Sequence, residues 1–317
     1  MRKPVIAVTM GDPAGIGPEI VLKAIAKKGI RQSAQFLLIG DSSVLTRAAR
    51  ILKCKNYSAK DIYLVDLADA GSRKFSFGKT DKVCARAALR YVKLAIEFAK
   101  AGLVDAIVTA PVSKESIRSV DKAFVGHTEL LAREFGVDKF VMMMAAGNLR
   151  VSLVTRHMSL SRAVKSLNQK DIYETIVLTG RSLKRHFGIK EPRLAVCGLN
   201  PHCGEGGEIG IEEKRIIRPA VMRAKRSLKR LVGPLSAEAV FYDGYRGRYD
   251  ALICMYHDQA LIPFKMVARD RGVNITLGLP ITRTSPDHGT AFDIAGKGVA
   301  DSGSMEEAIF LAAQLSR

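Results

Sequence analysis

At 317 residues with 47% hydrophobic content, the chain is too long for one small core and apolar enough to build two. No run of 18 apolar residues occurs, which excludes a membrane-spanning helix, and the opening strand-like run lacks the apolar stretch and cleavage site of a signal peptide. The net charge of +19 suits attraction of anionic small molecules or a solvated basic surface better than nucleic acid: the densest stretch, Lys214 to Arg230, carries eight basic residues without interleaved aromatics or a recognisable nucleic-acid motif.

Strand and helix patterns alternate along the chain. Val5 to Thr9 is a β-rich run leading into the glycine loop Gly11 to Gly17, and helical spacing is predicted from Pro18 to Lys28. Phe36 to Gly40 reads as a buried strand followed by a helix after Asp41. A long helix is predicted over Lys82 to Ala101, with Leu89, Val92, Ala95, Ile96 and Ala99 on its apolar side. Asp105 to Thr109 is the next strand. Further strands are predicted at Phe140 to Met144, Leu149 to Val154, Leu194 to Cys197 and Ala251 to Met255. This alternation implies an α/β fold with a largely parallel sheet. No Pro/Gly/Ser-rich linker marks a boundary, so the chain is expected to cross between two lobes more than once, with a cleft between them.

The five cysteines (54, 84, 197, 203 and 254) are odd in number and show no C-x-x-C pair. A disulfide framework is not expected, and a reducing, cytoplasmic setting is. Cys203 follows His202 directly; in an extended segment its side chain would point away from that histidine.

Several segments carry chemistry. Gly11-Asp-Pro-Ala-Gly-Ile-Gly17 sits at a strand-to-helix junction, where free N–H groups meet anions or a tight turn simply caps a helix. It is neither a G-x-G-x-x-G nor a P-loop pattern. Gly126-His127-Thr128-Glu129 opens a helix, either as an anion site or as a capping box. Three of the six histidines stand at Thr155-Arg156-His157, Asn200-Pro201-His202 and Tyr256-His257-Asp258, the last two after predicted strands. Imidazole is the commonest neutral ligand of a catalytic divalent metal, and three protein ligands leave a position for substrate. Asp258 is placed to orient a ligand, to act as base, or merely to cap a helix. Lys265, Asn274 and Arg283 follow at intervals of nine, as a basic clamp for a phosphate ester or as ordinary surface polarity. The terminal segment Thr284 to Ala300 is rich in glycine and includes His288, Gly289, Thr290, Asp293 and Gly296.

Taken together, MGDPAGIGPE (10–19), GHTE (126–129), CGLNPHCGEGG (197–207), GPLSAE (233–238), YHDQ (256–259) and GVNITLGLPITRTSPDHGTAFDIAGKG (272–298) cover essentially the whole chain. In these motifs the chain resembles the 4-hydroxythreonine-4-phosphate dehydrogenase family of pyridoxal 5′-phosphate synthesis. The HGTAFDIAGKG part is similar to the nucleotide loop of isopropylmalate and isocitrate dehydrogenases.

The resemblance implies a two-lobed, isopropylmalate-dehydrogenase-like fold with an active-site cleft between the lobes. The lobes would be 1–125 with 265–317, and 126–264, the latter carrying metal ligands and dimer interface. It implies a divalent metal (Zn, Mg, Mn or Co) held by His157, His202 and His257, with one ligand supplied across a homodimer. Substrate contacts map onto His127, Thr128, Lys265, Asn274 and Arg283, and all eight residues are intact. Catalytic roles fall to Asp258 and Lys265, and cofactor contacts to His288, Gly289, Thr290, Asp293 and Gly296. Cys203 departs from the small residue expected there.

The implied activity is NAD-dependent oxidation of 4-phosphohydroxy-L-threonine to a 3-keto acid, which loses carbon dioxide to give 3-amino-2-oxopropyl phosphate. NADP is the alternative cofactor, since no ribose-reading residue is evident. The alternative substrate is D-threonate or D-erythronate 4-phosphate. Neither nucleic acid nor membrane is expected as a partner.

Overall fold

A computed structural model describes residues 2–54, 61–70 and 75–316. Its contacts divide the chain into two compact units. Unit 1 comprises the residues up to 138 and those from 279 on; unit 2 is Lys139–Gly278.

Unit 1 starts with β1 (Val5–Thr9), α1 (Gly17–Ala26), α2 (Lys28–Ser33), β2 (Gln35–Gly40), α3 (Ser42–Ile51) and β3 (Ile62–Asp66). It continues with α4 (Lys82–Lys100), β4 (Ala106–Thr109), α5 (Lys114–Arg118) and α6 (His127–Glu134). The helix predicted from Pro18 to Lys28 is interrupted, because Lys27 takes an extended conformation (φ −71°, ψ 129°) between α1 and α2. Helix α4 matches its prediction to within a residue. The Asp81 carboxylate accepts the Val83 and Cys84 N–H groups at its start, and Val92, Ala95 and Ile96 are buried along one side.

Unit 2 contains β5 (Val141–Ala146), β6 (Leu149–Leu153), α7 (Leu160–Ser166), α8 (Gln169–His186), β7 (Leu194–Cys197), α9 (Arg218–Lys225) and β8 (Leu231–Leu235). It ends with α10 (Ala237–Tyr245), β9 (Ala251–Cys254), α11 (His257–Ala268) and β10 (Val273–Leu277). The chain then returns to unit 1 as β11 (Thr282–Pro286) and α12 (Gly303–Leu315).

In unit 1 the strand order is β3-β2-β1-β4-β11, and every pairing is parallel. Ile6 pairs with both Phe36 and Ala106, and all three are fully buried. Burial on both faces explains the continuous apolar runs that made these strands readable. In unit 2 the order is β10-β5-β6-β9-β7-β8. Here the expected parallel arrangement holds only from β6 onward; β10–β5 and β5–β6 are antiparallel. Side chains alternate between two cores. Leu194, Val196 and Ile253 pack with Ile172, Ile176 and Leu183 of α8, whereas Ala195, Cys197 and Leu252 pack with Val240 and Phe264.

The unit boundaries fall at 138/139 and 278/279 rather than at the expected 125/126 and 264/265. Two pairings account for the shift. Helix α6 stays with unit 1, where Glu134 meets Lys100 of α4 at 3.3 Å, and β10 is held in unit 2 by its ladder with β5. No helix among the described residues is long and apolar enough to cross a membrane.

Candidate active site

Unit 1 gathers a cluster of polar side chains at the start of α6. Gly126 precedes the helix, and no side chain caps its first turn, so the capping-box arrangement is absent. Thr128 Oγ1 accepts from Arg283 Nη1 at 3.4 Å, and Thr109 Oγ1 accepts from Arg283 Nη2 at 2.6 Å. Arg283 is 2% exposed, and burial lowers its pKa to about 10, against the attraction of Glu129, so it remains charged at neutral pH. His127 Nε2 is buried without a hydrogen-bond partner. Burial, Arg283 and Lys114 together hold this imidazole well below its ordinary pKa, so it is neutral. The predicted residues His127, Thr128 and Arg283 thus come together. Thr109, at the end of β4, was missed because nothing local distinguishes it from any other strand threonine.

Next along unit 1, residues 288–300 are fastened to the first glycine loop and α1. Ile16 N donates to Thr290 O at 3.0 Å, Gly296 N donates to Glu19 Oε1, and Lys23 Nζ donates to Gly298 O and Ala300 O. A β-carbon at Gly15 would lie 3.1 Å from Thr290 Cβ, so Gly15 permits this approach. Gly289 and Asp293 are exposed, and His288 Nδ1 lies 3.2 Å from Gly289 O. The five predicted cofactor residues therefore lie on one anchored loop. Gly11, at φ +77°, has no room for a side chain against Pro111 O, so the loop's glycines serve close backbone packing. The same loop buries Asp12, which sequence reading passed over. Its carboxyl accepts N–H groups of Ala14 and Ser113, yet burial pushes its pKa up to about 6.

Unit 2 carries the paired histidines. His157 follows β6 and His257 opens α11, immediately beyond β9. Their ring centroids are 5.5 Å apart. Val154 N donates to Cys254 O, and the Thr155 hydroxyl donates to Met255 O at 2.8 Å, which locks the two strand ends together. Gln259 accepts Met255 N and donates to Gly198 O, both at 2.7 Å, tying the end of β9 to the end of β7. His257 Nδ1 lies 2.7 Å from Asp258 Oδ1. That pairing leaves His257 Nε2 for a ligand and fits the usual carboxylate support of a metal-binding histidine. Arg156, His157, Met158, Tyr256, His257 and Asp258 line a cavity of about 160 Å³.

His202 lies elsewhere, on an exposed turn. Residues 202–206 all have positive φ, at 48°, 59°, 78°, 41° and 67°. The turn sits over Glu213, which is buried; Glu213 Oε1 accepts the Leu199 and Asn200 N–H groups, both at 2.7 Å, and Oε2 accepts the Asn200 side-chain amide at 2.9 Å. The expectation of an extended segment is therefore corrected. The chain coils left-handed here, and Cys203 Sγ faces Gly198, where a β-carbon would be 3.1 Å away. Among the described residues no three His, Cys, Asp or Glu side chains of one chain gather as a metal-binding group.

Lys265 is exposed on α11, two turns after His257, and Asn274 lies in β10 with Oδ1 buried and not hydrogen-bonded.

Residues 32–312 match the family described as pyridoxal phosphate biosynthetic protein PdxA. The chain belongs to the PdxA family. It is 42% identical over 327 residues to a 4-hydroxythreonine-4-phosphate dehydrogenase of Geobacter metallireducens, covering 99% of this chain and 96% of that protein. A protein of Oceanobacillus iheyensis provisionally named D-threonate 4-phosphate dehydrogenase is 40% identical, covering 99% and 98%. The crystal structure of 4-hydroxythreonine-4-phosphate dehydrogenase from Klebsiella pneumoniae superimposes with a TM-score of 0.86 at 38% identity, covering 99% and 100%. The family is one of dehydrogenases with a two-lobed α/β fold, which implies a nicotinamide cofactor.

Proposed function

We propose that this chain is an NAD-dependent dehydrogenase that oxidises 4-phosphohydroxy-L-threonine in the synthesis of pyridoxal phosphate. The observation that carries this reading is the Arg283–Thr128–His127 cluster: a buried cation, an uncapped helix start and an unpartnered imidazole nitrogen at one place. These are the groups that recognise a phosphate ester. Neutral His127 donates one hydrogen bond, and Arg283 supplies the charge.

A divalent metal (Zn, Mg, Mn or Co) would be held by His157, His202 and His257, the set being completed across a homodimer. The His157–His257 pair and the Asp258 carboxylate behind His257 fit such an ion. Exposed Tyr242, Tyr245, Ile262 and Met266 give unit 2 the apolar surface that a second copy would cover. When bound, the nicotinamide takes the hydride and the metal polarises the carbon–oxygen bond being oxidised.

Asp258, exposed to solvent, receives the hydroxyl proton, directly or through water. Lys265 neutralises the carboxylate, and Asn274 uses its unpaired Oδ1 to orient the substrate amine. His288, Gly289, Thr290, Asp293 and Gly296 form the dinucleotide loop. The 3-keto acid product carries its carboxylate β to the new carbonyl, which accepts the electrons as carbon dioxide leaves, giving 3-amino-2-oxopropyl phosphate. The enzyme would work in the cytoplasm on a free small molecule.

The test is NADH formation from 4-phosphohydroxy-L-threonine, with and without a chelator, beside D-threonate and D-erythronate 4-phosphates. Chelator-sensitive turnover with the highest kcat/KM on the hydroxythreonine ester supports the reading. A higher kcat/KM on either sugar-acid phosphate assigns the chain to that reaction instead, and NADP-only turnover replaces the cofactor.

A further inference from the structure

The anion cluster of unit 1 has a further cation nearby. Lys114 is the first residue of α5, whose start is fixed by the Ser113 hydroxyl accepting Ser116 N–H at 3.1 Å. Its side chain is exposed and makes no ion pair among the described residues. A β-carbon at Gly126 would lie 3.2 Å from Lys114 Cε and 3.4 Å from its Nζ. The ammonium therefore rests against the residue that opens α6, in space that any side chain at 126 would take. Its charge also reaches His127, where it adds to burial and Arg283 in keeping the imidazole neutral.

Charge balance gives this placement a purpose. A phosphate monoester carries close to two negative charges at neutral pH. Arg283 supplies one positive charge and His127 none. Glu129 also faces the site: its Oε2 would lie 2.7 Å from a β-carbon at Gly126, and its charge is felt at Arg283. Without Lys114 the cluster would be close to neutral before the ester arrives. With it, the cluster is net cationic, and the exposed lysine can swing onto an incoming oxygen.

We propose that Lys114 is a substrate-positioning residue whose ammonium closes onto the phosphate group at the start of α6. This rests on the reading that His127, Thr128 and Arg283 hold that phosphate. Four proteins separate the two ideas: wild type, Lys114→Met, Lys114→Arg and Arg283→Met, each assayed for KM, kcat and binding of inorganic phosphate by calorimetry. Lys114→Met should raise KM for the phosphorylated substrate and weaken phosphate binding by about tenfold each, with kcat within about threefold of wild type. Lys114→Arg should restore most of the loss. In Lys114→Met the His127 ring proton resonance, followed by NMR, should titrate at higher pH, and Lys114→Arg, which keeps the charge, should return it to the wild-type position. KM and phosphate affinity within twofold of wild type in Lys114→Met, while Arg283→Met abolishes phosphate binding, overturn the role of Lys114 alone. Phosphate binding indifferent to Arg283→Met overturns both.

Discussion

Arg283 Nη2 donates to Thr109 Oγ1 over 2.6 Å, joining a guanidinium that is 2% exposed to the last residue of β4. Burying a charge without water requires such partners. The contact fixes where the guanidinium points and leaves Nη1 for Thr128.

Thr109→Val keeps the shape and removes the acceptor. Urea unfolding should show a loss of roughly 1–3 kcal/mol, and KM for the phosphorylated substrate should rise. Unchanged stability together with an unchanged KM would show that the guanidinium is held by other means.

Asp258→Asn leaves His257 Nδ1 without its carboxylate. Metal affinity, measured by chelator competition, should fall by about 10- to 100-fold while the melting temperature of the metal-free protein stays put. An affinity equal to wild type would remove Asp258 from the support of His257.

Asp12 gives a pH signature. Its folded pKa of about 6 lies above the ordinary 3.8, chiefly through burial. The native state therefore binds a proton that the unfolded chain has already released, and stability falls as pH rises between these values. Over about pH 4 to pH 6 the loss from this one group is roughly 3 kcal/mol, constant above that window and absent below it. Asp12→Asn should flatten this slope, so variant and wild-type stabilities diverge with rising pH and then run parallel. Parallel curves throughout would sink the assignment.

Gly15→Val forces a side chain against Thr290, whose Cβ would already be 3.1 Å from a single added carbon. Displacing that loop should raise KM for NAD at least several-fold and spare phosphate binding at Arg283. If NAD affinity survives, residues 288–296 do not hold the dinucleotide.

Much of the architecture was readable because both faces of the unit 1 strands are buried, so Val5–Thr9, Phe36–Gly40 and Ala106–Thr109 appear as uninterrupted apolar runs. β10 and β11 escaped notice for the opposite reason. Thr276 and Thr282 to Ser285 are polar residues buried by pairing and by α12, where the Thr284 hydroxyl donates to Ala308 O. The resemblance grouped His127, Thr128 and Arg283 with Lys265 and Asn274 as substrate contacts; the first three side chains come together at the start of α6, and His157 lies beside His257. Thr109, Asp12 and Gln259 were invisible, since their importance comes from partners tens to hundreds of residues away. The left-handed path at His202 was also missed, because Cys203 and Glu205 do not announce such a conformation.

That path has a price in conformational energy. His202, Cys203 and Glu205 each sit where a residue with a β-carbon costs on the order of 1 kcal/mol or more, and one carboxylate, Glu213, grips the N–H groups that lead into the turn. The turn is thus a sprung catch whose latch lies eleven positions downstream of His202. A neutral substitution at 213 would free the catch and let the imidazole wander, so a fault at 213 would show itself at His202 in a chain with every histidine intact.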